Sequence, residues 1–410
     1  MSMIAFIIPS VLFVIVIEIL IANRLHKKVY HYKSTVVSLS IGAAERLLNV
    51  WIMGVYYFVF NFIYNNYALF QLSDVWYNWI LLLLITDFIW YWYHRLGHEI
   101  NILWAFHIVH HQSEDYNYAT STRITIFQAI IRNAFWCLLP LLGFQPAMVF
   151  IILLIHGTYS FLTHTEIIGK LGWMEYIFIT PSHHRVHHAS NEEYLDKNDG
   201  DIFIFWDVLF GTFKREGKKP TYGLTKPVES YSFLWQHFHY LMEIAYRFRR
   251  THGFMNKMKV LFGKPNKMIG NEREELEKLW LSPKQIKEND SESEDVSKLR
   301  TKRYIRYLEI QLAMVLIGLF LISFFINAIE FSDAFFLTIL IFLTLMNCSA
   351  LLEQRRWIFF LEYMRLIVLL LYISVSFHSF CLMFIYLLIL GFTTDIYRTL
   401  RIKYFRTLFY

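Results

Sequence analysis

The chain has 410 residues, 56% of them hydrophobic and 19% aromatic, and only 18% charged. This is too apolar for one aqueous core, and it excludes a disordered, fibrous or disulfide-built chain. The net charge of +6 is spread along the sequence, which argues for basic membrane-flanking loops rather than a nucleic-acid surface. The three cysteines lie in apolar runs and read as buried hydrophobes. The composition predicts an all-α, polytopic integral membrane protein.

A membrane span takes roughly 20 apolar residues. The first such run covers residues 3–22, with no basic residue before it and no small-residue cleavage site after it, and reads as a retained anchor. Further runs cover 48–70 and 75–93. The stretch 126–161 is broken by Pro140, Gly143 and Pro146, which predicts a helical hairpin that enters and returns. Apolar runs resume at 310–329, 335–352, 359–377 and 380–392. Between them, residues 246–304 are polar. They hold a charged helical run at 272–280 and an acidic patch of Glu288, Asp290, Glu292, Glu294 and Asp295, which predicts a solvated linker. Four segments follow: an anchor helix and basic loop (1–47), a catalytic membrane region (48–245), the linker (246–304) and C-terminal transmembrane helices (305–410). Lys and Arg fill 23–47, 212–219, 247–258, 300–306 and 398–406, and are missing from the turns at 71–75 and 330–334. This bias predicts that the basic segments face the cytoplasm.

Of the 17 histidines, 11 fall between residues 94 and 188. They form His94-x-x-x-His98, His107-x-x-His110-His111 and His183-His184-x-x-His187-His188. Residues three and four apart share a helix face, so each box is expected to aim two or three imidazoles at one point. Imidazole suits Zn, Cu, Fe and Ni. Even without His183, eight imidazoles exceed the four ligands of a structural zinc, so the pattern predicts two ions with open positions, at the cytoplasmic face. His164 and His183 are further candidate ligands, and His183 also has the spacing of a ligand's hydrogen-bond partner. Glu99, Glu114 and Asp115 follow the first two boxes as candidates for orienting imidazoles or for contacting a cofactor. His156 reads as a packed histidine. His237 and His239, beside a Trp- and Phe-rich stretch, read as part of an interfacial aromatic belt rather than as lining for a substrate. Arg185 inside the third box is open to a salt bridge or a lipid phosphate.

With spans before the first box and between the second and third, the boxes resemble the fatty acid hydroxylase/sterol desaturase superfamily, and within it the alkylglycerol monooxygenase branch. The resemblance covers about residues 45–245. It rests on 93–101, Trp104, 107–111, 113–117, 164–166, 180–188, 196–198 and 206–213. It implies a membrane di-iron oxygenase with ligands His94, His98, His107, His110, His111, His184, His187 and His188. For the branch it implies O2-dependent hydroxylation of an alkylglycerol ether lipid at the carbon next to the ether oxygen, with tetrahydrobiopterin as reductant and Glu99 as a catalytic residue touching the pterin. After Asn198 the branch reads Tyr-Gly-Gly, whereas this chain reads Asp199-Gly200-Asp201. Two rival enzyme readings remain: hydroxylation or desaturation of a fatty acid or sterol, with a protein as electron donor. The non-enzyme rivals are a metal transporter and a zinc-stabilised scaffold. Transport is disfavoured because the boxes lie outside the spans.

Overall fold

The computed structural model describes residues 3–265, 272–280, 294–376 and 380–409. Among these the chain is helical, and extended pairing is limited to isolated bridges at Phe178–Phe203 and Ala189–Tyr222. Among the described residues six helices are long and apolar enough to cross a membrane: Ile7–Arg24, Tyr32–Tyr67, Pro146–Thr163, Lys302–Phe325, Phe331–Leu352 and Ile358–Ser376. The acidic residues Glu288, Asp290 and Glu292 lie outside the described residues.

The chain divides into two compact units. The first comprises Pro9–Glu229 and Trp235–Trp280. Helix α1 (Ile7–Arg24) belongs to it from Pro9 onward and is tied down by a buried carboxylate. Glu18 accepts the Tyr118 N–H at 2.8 Å and the hydroxyls of Tyr30 and Thr165. Helix α2 (Tyr32–Tyr67) starts well inside the segment expected to be a basic loop. The reason is packing: Val36, Val37, Ile41, Ala44 and Leu47 recur at helical spacing and are buried.

Helix α3 (Trp76–Glu99) has the length of a span, about 36 Å at 1.5 Å per residue. It is not one of those six helices, and it buries Asn78, Thr86 and Asp87 along its length. Three short helices follow: α4 (Asn101–Ala105), α5 (Ile108–His111) and α6 (Tyr118–Ser121). The expected hairpin is built from α7 (Gln128–Trp136), α8 (Leu138–Leu142) and α9 (Pro146–Thr163). Gly143 ends α8 at φ 102°, and a Cβ there would lie 2.1 Å from the Phe70 carbonyl oxygen. Only glycine allows that turn. Pro146 then starts α9, where its missing N–H costs nothing. The core beneath the site joins Phe60, Leu82, Ile89, Trp136, Leu139, Phe144, Met148, Val149 and Ile152.

Helix α10 (Pro181–His187) is opened by a capping box, in which Thr180 and His183 satisfy each other's main-chain N–H groups. Helix α11 (Phe205–Phe210) ends at the left-handed Gly211. Helices α12 (Phe233–Arg250), from Trp235 onward, α13 (Phe254–Phe262) and α14 (Glu272–Trp280) complete the unit. The stretch expected as a linker therefore holds helices at Phe254–Phe262 and Glu272–Trp280. Asn101 donates to the Val260 carbonyl at 2.9 Å, and Arg273 meets Glu243 at 2.6 Å.

The second unit comprises Met1–Ile8, Ser230–Leu234 and Leu281–Tyr410. It holds α15 (Glu294–Phe325), α16 (Phe331–Leu352), α17 (Ile358–Ser376), α18 (Phe380–Asp395) and α19 (Tyr397–Leu408). Four of these helices meet at a buried polar knot. Arg365 donates to Gln311 at 3.1 Å and to Thr344 at 2.5 Å, and pairs with Glu362 at 3.3 Å. Tyr404 donates to Glu362 at 2.6 Å.

Candidate metal centre

Nine buried imidazoles gather into two groups. His94, His98, His107, His111 and His187 form the first; His110, His164, His184 and His188 form the second. Within each group the ring nitrogens offered by its members lie within 4.8 Å of one another. The groups share a wall, where His111 stacks on His188 with ring centroids 4.3 Å apart.

Each His-x-x-His-His box feeds both groups, which corrects the expectation of one focus per box. His107 and His111, four apart, face the first group, while His110 between them faces the second. The third box mirrors this: His184 and His188 face the second group and His187 the first. The helices are short enough to turn one ring of each box toward its neighbour. His94 and His98 sit one turn apart at the end of α3. His164 caps the C-terminus of α9 and completes the second group.

Hydrogen bonds to the main chain fix which nitrogen carries the proton. His94 Nδ1 donates to the Asp199 carbonyl at 2.8 Å, and His187 Nδ1 to Lys197 at 3.0 Å. His110 Nδ1 donates to Arg123 at 3.1 Å, and His164 Nδ1 to Ser160 at 2.7 Å. A carbonyl oxygen only accepts, so in these four rings Nε2 is a bare lone pair. Yet His110 Nε2 and His164 Nε2 are 3.0 Å apart. His164 Nε2 is also 3.1 Å from the Nε2 atoms of His184 and His188. In the first group His107 Nε2 lies 3.0 Å from His94 Nε2 and 3.1 Å from His111 Nε2. Two neutral lone pairs repel at that distance, whereas a cation between them is held by both. Metal–nitrogen bonds of about 2.0–2.1 Å place neighbouring ligand atoms about 3.0–3.4 Å apart. His98 Nε2 and His187 Nε2 are buried with no hydrogen-bond partner, further donor atoms that a cation would satisfy.

Burial keeps these rings neutral, reinforced by neighbouring imidazoles. His94 is pushed down to about 4 and His164 to about 3. The other seven lie well below the ordinary histidine value. A metal ligand must be the neutral imidazole, so the fold presents the rings in the required form. Aromatic rings close the site. Trp104 packs on His98 at 4.9 Å between centroids, and Tyr116 stacks on His164 at 5.6 Å.

The other sequence candidates fall outside both groups. His183 serves the capping box of α10. Glu99 pairs with Arg95 at 3.1 Å. Asp115 accepts His31 Nδ1 at 2.5 Å, a partner the sequence did not single out, and Glu114 is exposed beside Gly223. Arg185 makes a two-bond salt bridge to Glu216, at 2.9 and 2.7 Å. His237 and His239 are buried, at 2% and 0% exposure, which overturns the interfacial-belt reading. The ring of His239 turns inward, with Nδ1 3.1 Å from the Trp235 carbonyl oxygen. His156 is not merely packed: its Nδ1 lies 2.6 Å from Asp201, with Asp87 at 3.9 Å. The signal for this pairing was a lone aspartate inside the apolar run of α3.

Residues 79–212, which contain all nine rings, match the fatty acid hydroxylase family model. The human alkylglycerol monooxygenase is 41% identical over 230 residues, 56% of this chain and 51% of that protein. The Xenopus tropicalis alkylglycerol monooxygenase is 40% identical over 230 residues, again 56% of this chain and 51% of the relative. An ornithine lipid hydroxylase of Rhizobium tropici is 34% identical over 136 residues, 33% of this chain and 41% of that protein. The chain thus spans about half the length of the alkylglycerol monooxygenases it matches. No solved structure matches it. The match to the fatty acid hydroxylase family model thus falls on the segment that gathers the nine imidazoles.

Proposed function

We propose that this chain is a membrane di-iron monooxygenase that hydroxylates an alkylglycerol at the carbon next to the ether oxygen. The observation that carries the reading is the pair of imidazole groups with converging bare nitrogens, inside a domain that resembles alkylglycerol monooxygenases. The nine histidines hold two ions, one per group. When bound, two ferrous ions supply the binding and reduction of O2. In the balanced reaction one oxygen atom enters the C–H bond and the other leaves as water, with two electrons from a reductant. The hydroxylated ether is a hemiacetal, which separates into a fatty aldehyde and glycerol.

This chain's own residues supply geometry and dryness. Main-chain carbonyls hold four rings with Nε2 inward, which orients each ligand before the ion arrives. Trp104 and Tyr116 shield the rings from water. Apolar side chains on α3 and α9, such as Ile80, Ile151 and Leu154, are exposed, and a lipid approaches along them from the bilayer. By the charge bias the site faces the cytoplasm, where a soluble reductant reaches it. Glu99, one-third exposed beside His98, accepts paired N–H bonds from the aminopyrimidinone of a reduced pterin.

The test is turnover by purified protein with iron, O2, tetrahydrobiopterin and an alkylglycerol. Release of fatty aldehyde is expected. No aldehyde, with oxidation of a fatty acid, sterol or amino lipid instead, would overturn the substrate. The similarity to an ornithine lipid hydroxylase favours that second reading, in which a protein supplies the electrons.

A further inference from the structure

The loop 199–203 runs beside the first imidazole group, and four of its five main-chain N–H groups are held by buried carboxylates. Asp207 of α11 accepts the N–H of Asp199 at 2.8 Å on one oxygen and that of Gly200 at 2.9 Å on the other. The Thr212 hydroxyl donates to the first oxygen at 2.6 Å. Asp87 of α3 accepts the N–H groups of Ile202 at 2.9 Å and Phe203 at 3.2 Å, and the Trp206 indole N–H at 3.0 Å. Asp201 itself is tied to His156.

This geometry acts on His94. In a planar trans peptide the C=O and N–H point in opposite directions. The Asp199–Gly200 peptide has its N–H on Asp207 and its C=O on His94 Nδ1. A carboxylate that holds the N–H therefore aims the carbonyl at the imidazole and fixes its proton on Nδ1. There is no spare room: a Cβ on Gly200 would lie 2.7 Å from the Asp207 carboxylate. The neighbouring Lys197 carbonyl serves His187 in the same way. The carbonyls that orient the second group come from elsewhere, Arg123 and Ser160.

We propose that Asp207 is a positioning residue for the first metal ion alone, acting through the Asp199–Gly200 peptide on His94, with Asp87 anchoring the far end of the loop. This rests on the reading of the two imidazole groups as metal sites, so the test reads metal rather than turnover. The full chain in detergent is loaded anaerobically with ferrous 57Fe, and its iron content and Mössbauer spectrum are recorded. Wild type is expected to hold two ions. Asp207→Asn, which keeps the shape but replaces one acceptor with a donor, is expected to weaken one ion about 10–100-fold and to move one of two quadrupole doublets. Thr212→Val, a milder change that removes only the hydroxyl on Asp207, is expected to shift the same doublet less. It carries the test if Asp207→Asn does not fold. Asp207→Glu is expected to restore part of the affinity. Two unchanged doublets in the variants, or equal loss of both ions, would overturn the proposal. A wild type that binds fewer than two ions would overturn the two-ion reading itself, and this one with it.

Discussion

His110 and His164 face each other with their Nε2 atoms 3.0 Å apart, while each ring donates its Nδ1–H to a main-chain carbonyl. Neither facing nitrogen has a proton to share. The contact is repulsive in neutral protein and attractive around a cation, so the fold stores an unfavourable arrangement that a metal relieves.

Selective metal loss follows from the way the boxes divide. His110→Ala removes a ligand of the second group only, and His187→Ala one of the first only. Each is expected to lower bound iron from two ions toward one, and both to abolish turnover. Elemental analysis of the purified variants, with circular dichroism to confirm folding, checks this. Full iron in both variants would sink the assignment of these rings.

Acid sensitivity follows from the buried rings. The folded protein holds His94 at about 4, below the ordinary value of 6.5. The unfolded chain therefore takes up protons first as pH falls. The stability due to neutral rings is complete above about 6.5 and is lost progressively toward about 4. Thermal unfolding of the metal-stripped protein is expected to fall across that window. Metal should move the fall to lower pH, because ion and proton compete for the same nitrogens. A flat profile between pH 7 and 4.5 would contradict the burial.

Glu18 predicts how α1 is held. Glu18→Ala leaves the buried Tyr118 N–H without its acceptor and strands the hydroxyls of Tyr30 and Thr165. The expected loss is about 1–3 kcal/mol for an unsatisfied buried group. Glu18→Gln, which keeps one acceptor, should lose less. Thermal unfolding in detergent ranks the two variants.

Topology is open to labelling. In a background lacking the exposed Cys381, a cysteine at Lys218 is expected to react with an impermeant thiol reagent only from the cytoplasmic side. A cysteine at Ser73, in an exposed turn free of Lys and Arg, is expected to react only from the other side. The reverse pattern would place the imidazoles in a non-cytoplasmic compartment.

The three boxes were legible because histidines at spacings of three and four are rare and point at metal. Their division between two groups was not, since spacing along one turn tells which rings are near, not how short helices tilt. His164 looked isolated because its partners are 20–54 residues away in sequence. His183 could have been separated from the ligands: it stands three residues after Thr180, with proline at the first helical position, the place of a capping partner. Asp207 carries no spacing signature, because a carboxylate that serves main-chain N–H groups leaves none, and Asp87 stands out only as a lone acid in an apolar run. The helical start of α2 was missed because its basic residues masked the buried stripe from Val36 to Leu47.

The source of electrons is the last point at which the site makes a decision. Under the proposed function the electrons come from a reduced pterin that meets Glu99. Glu99 is engaged by Arg95, which also donates to the Tyr91 hydroxyl at 3.0 Å. A pterin that uses the Glu99 carboxylate must compete with that guanidinium. Two variants then act in opposite directions. Glu99→Ala is expected to raise the KM for tetrahydrobiopterin several-fold, with little change in the KM for the lipid. Arg95→Gln, which frees the carboxylate, is expected to leave the pterin KM unchanged or lower it. The measurement is aldehyde release at varied pterin and fixed alkylglycerol, then the reverse. Equal rises in both variants would show that the Arg95–Glu99 pair serves the fold of α3 rather than the reductant. Turnover with a cytochrome b5 or ferredoxin system and none with pterin would move the protein to the protein-donor hydroxylases. The basic residues Lys214, Arg215, Lys218 and Lys219 would then be the place to test docking of an acidic donor.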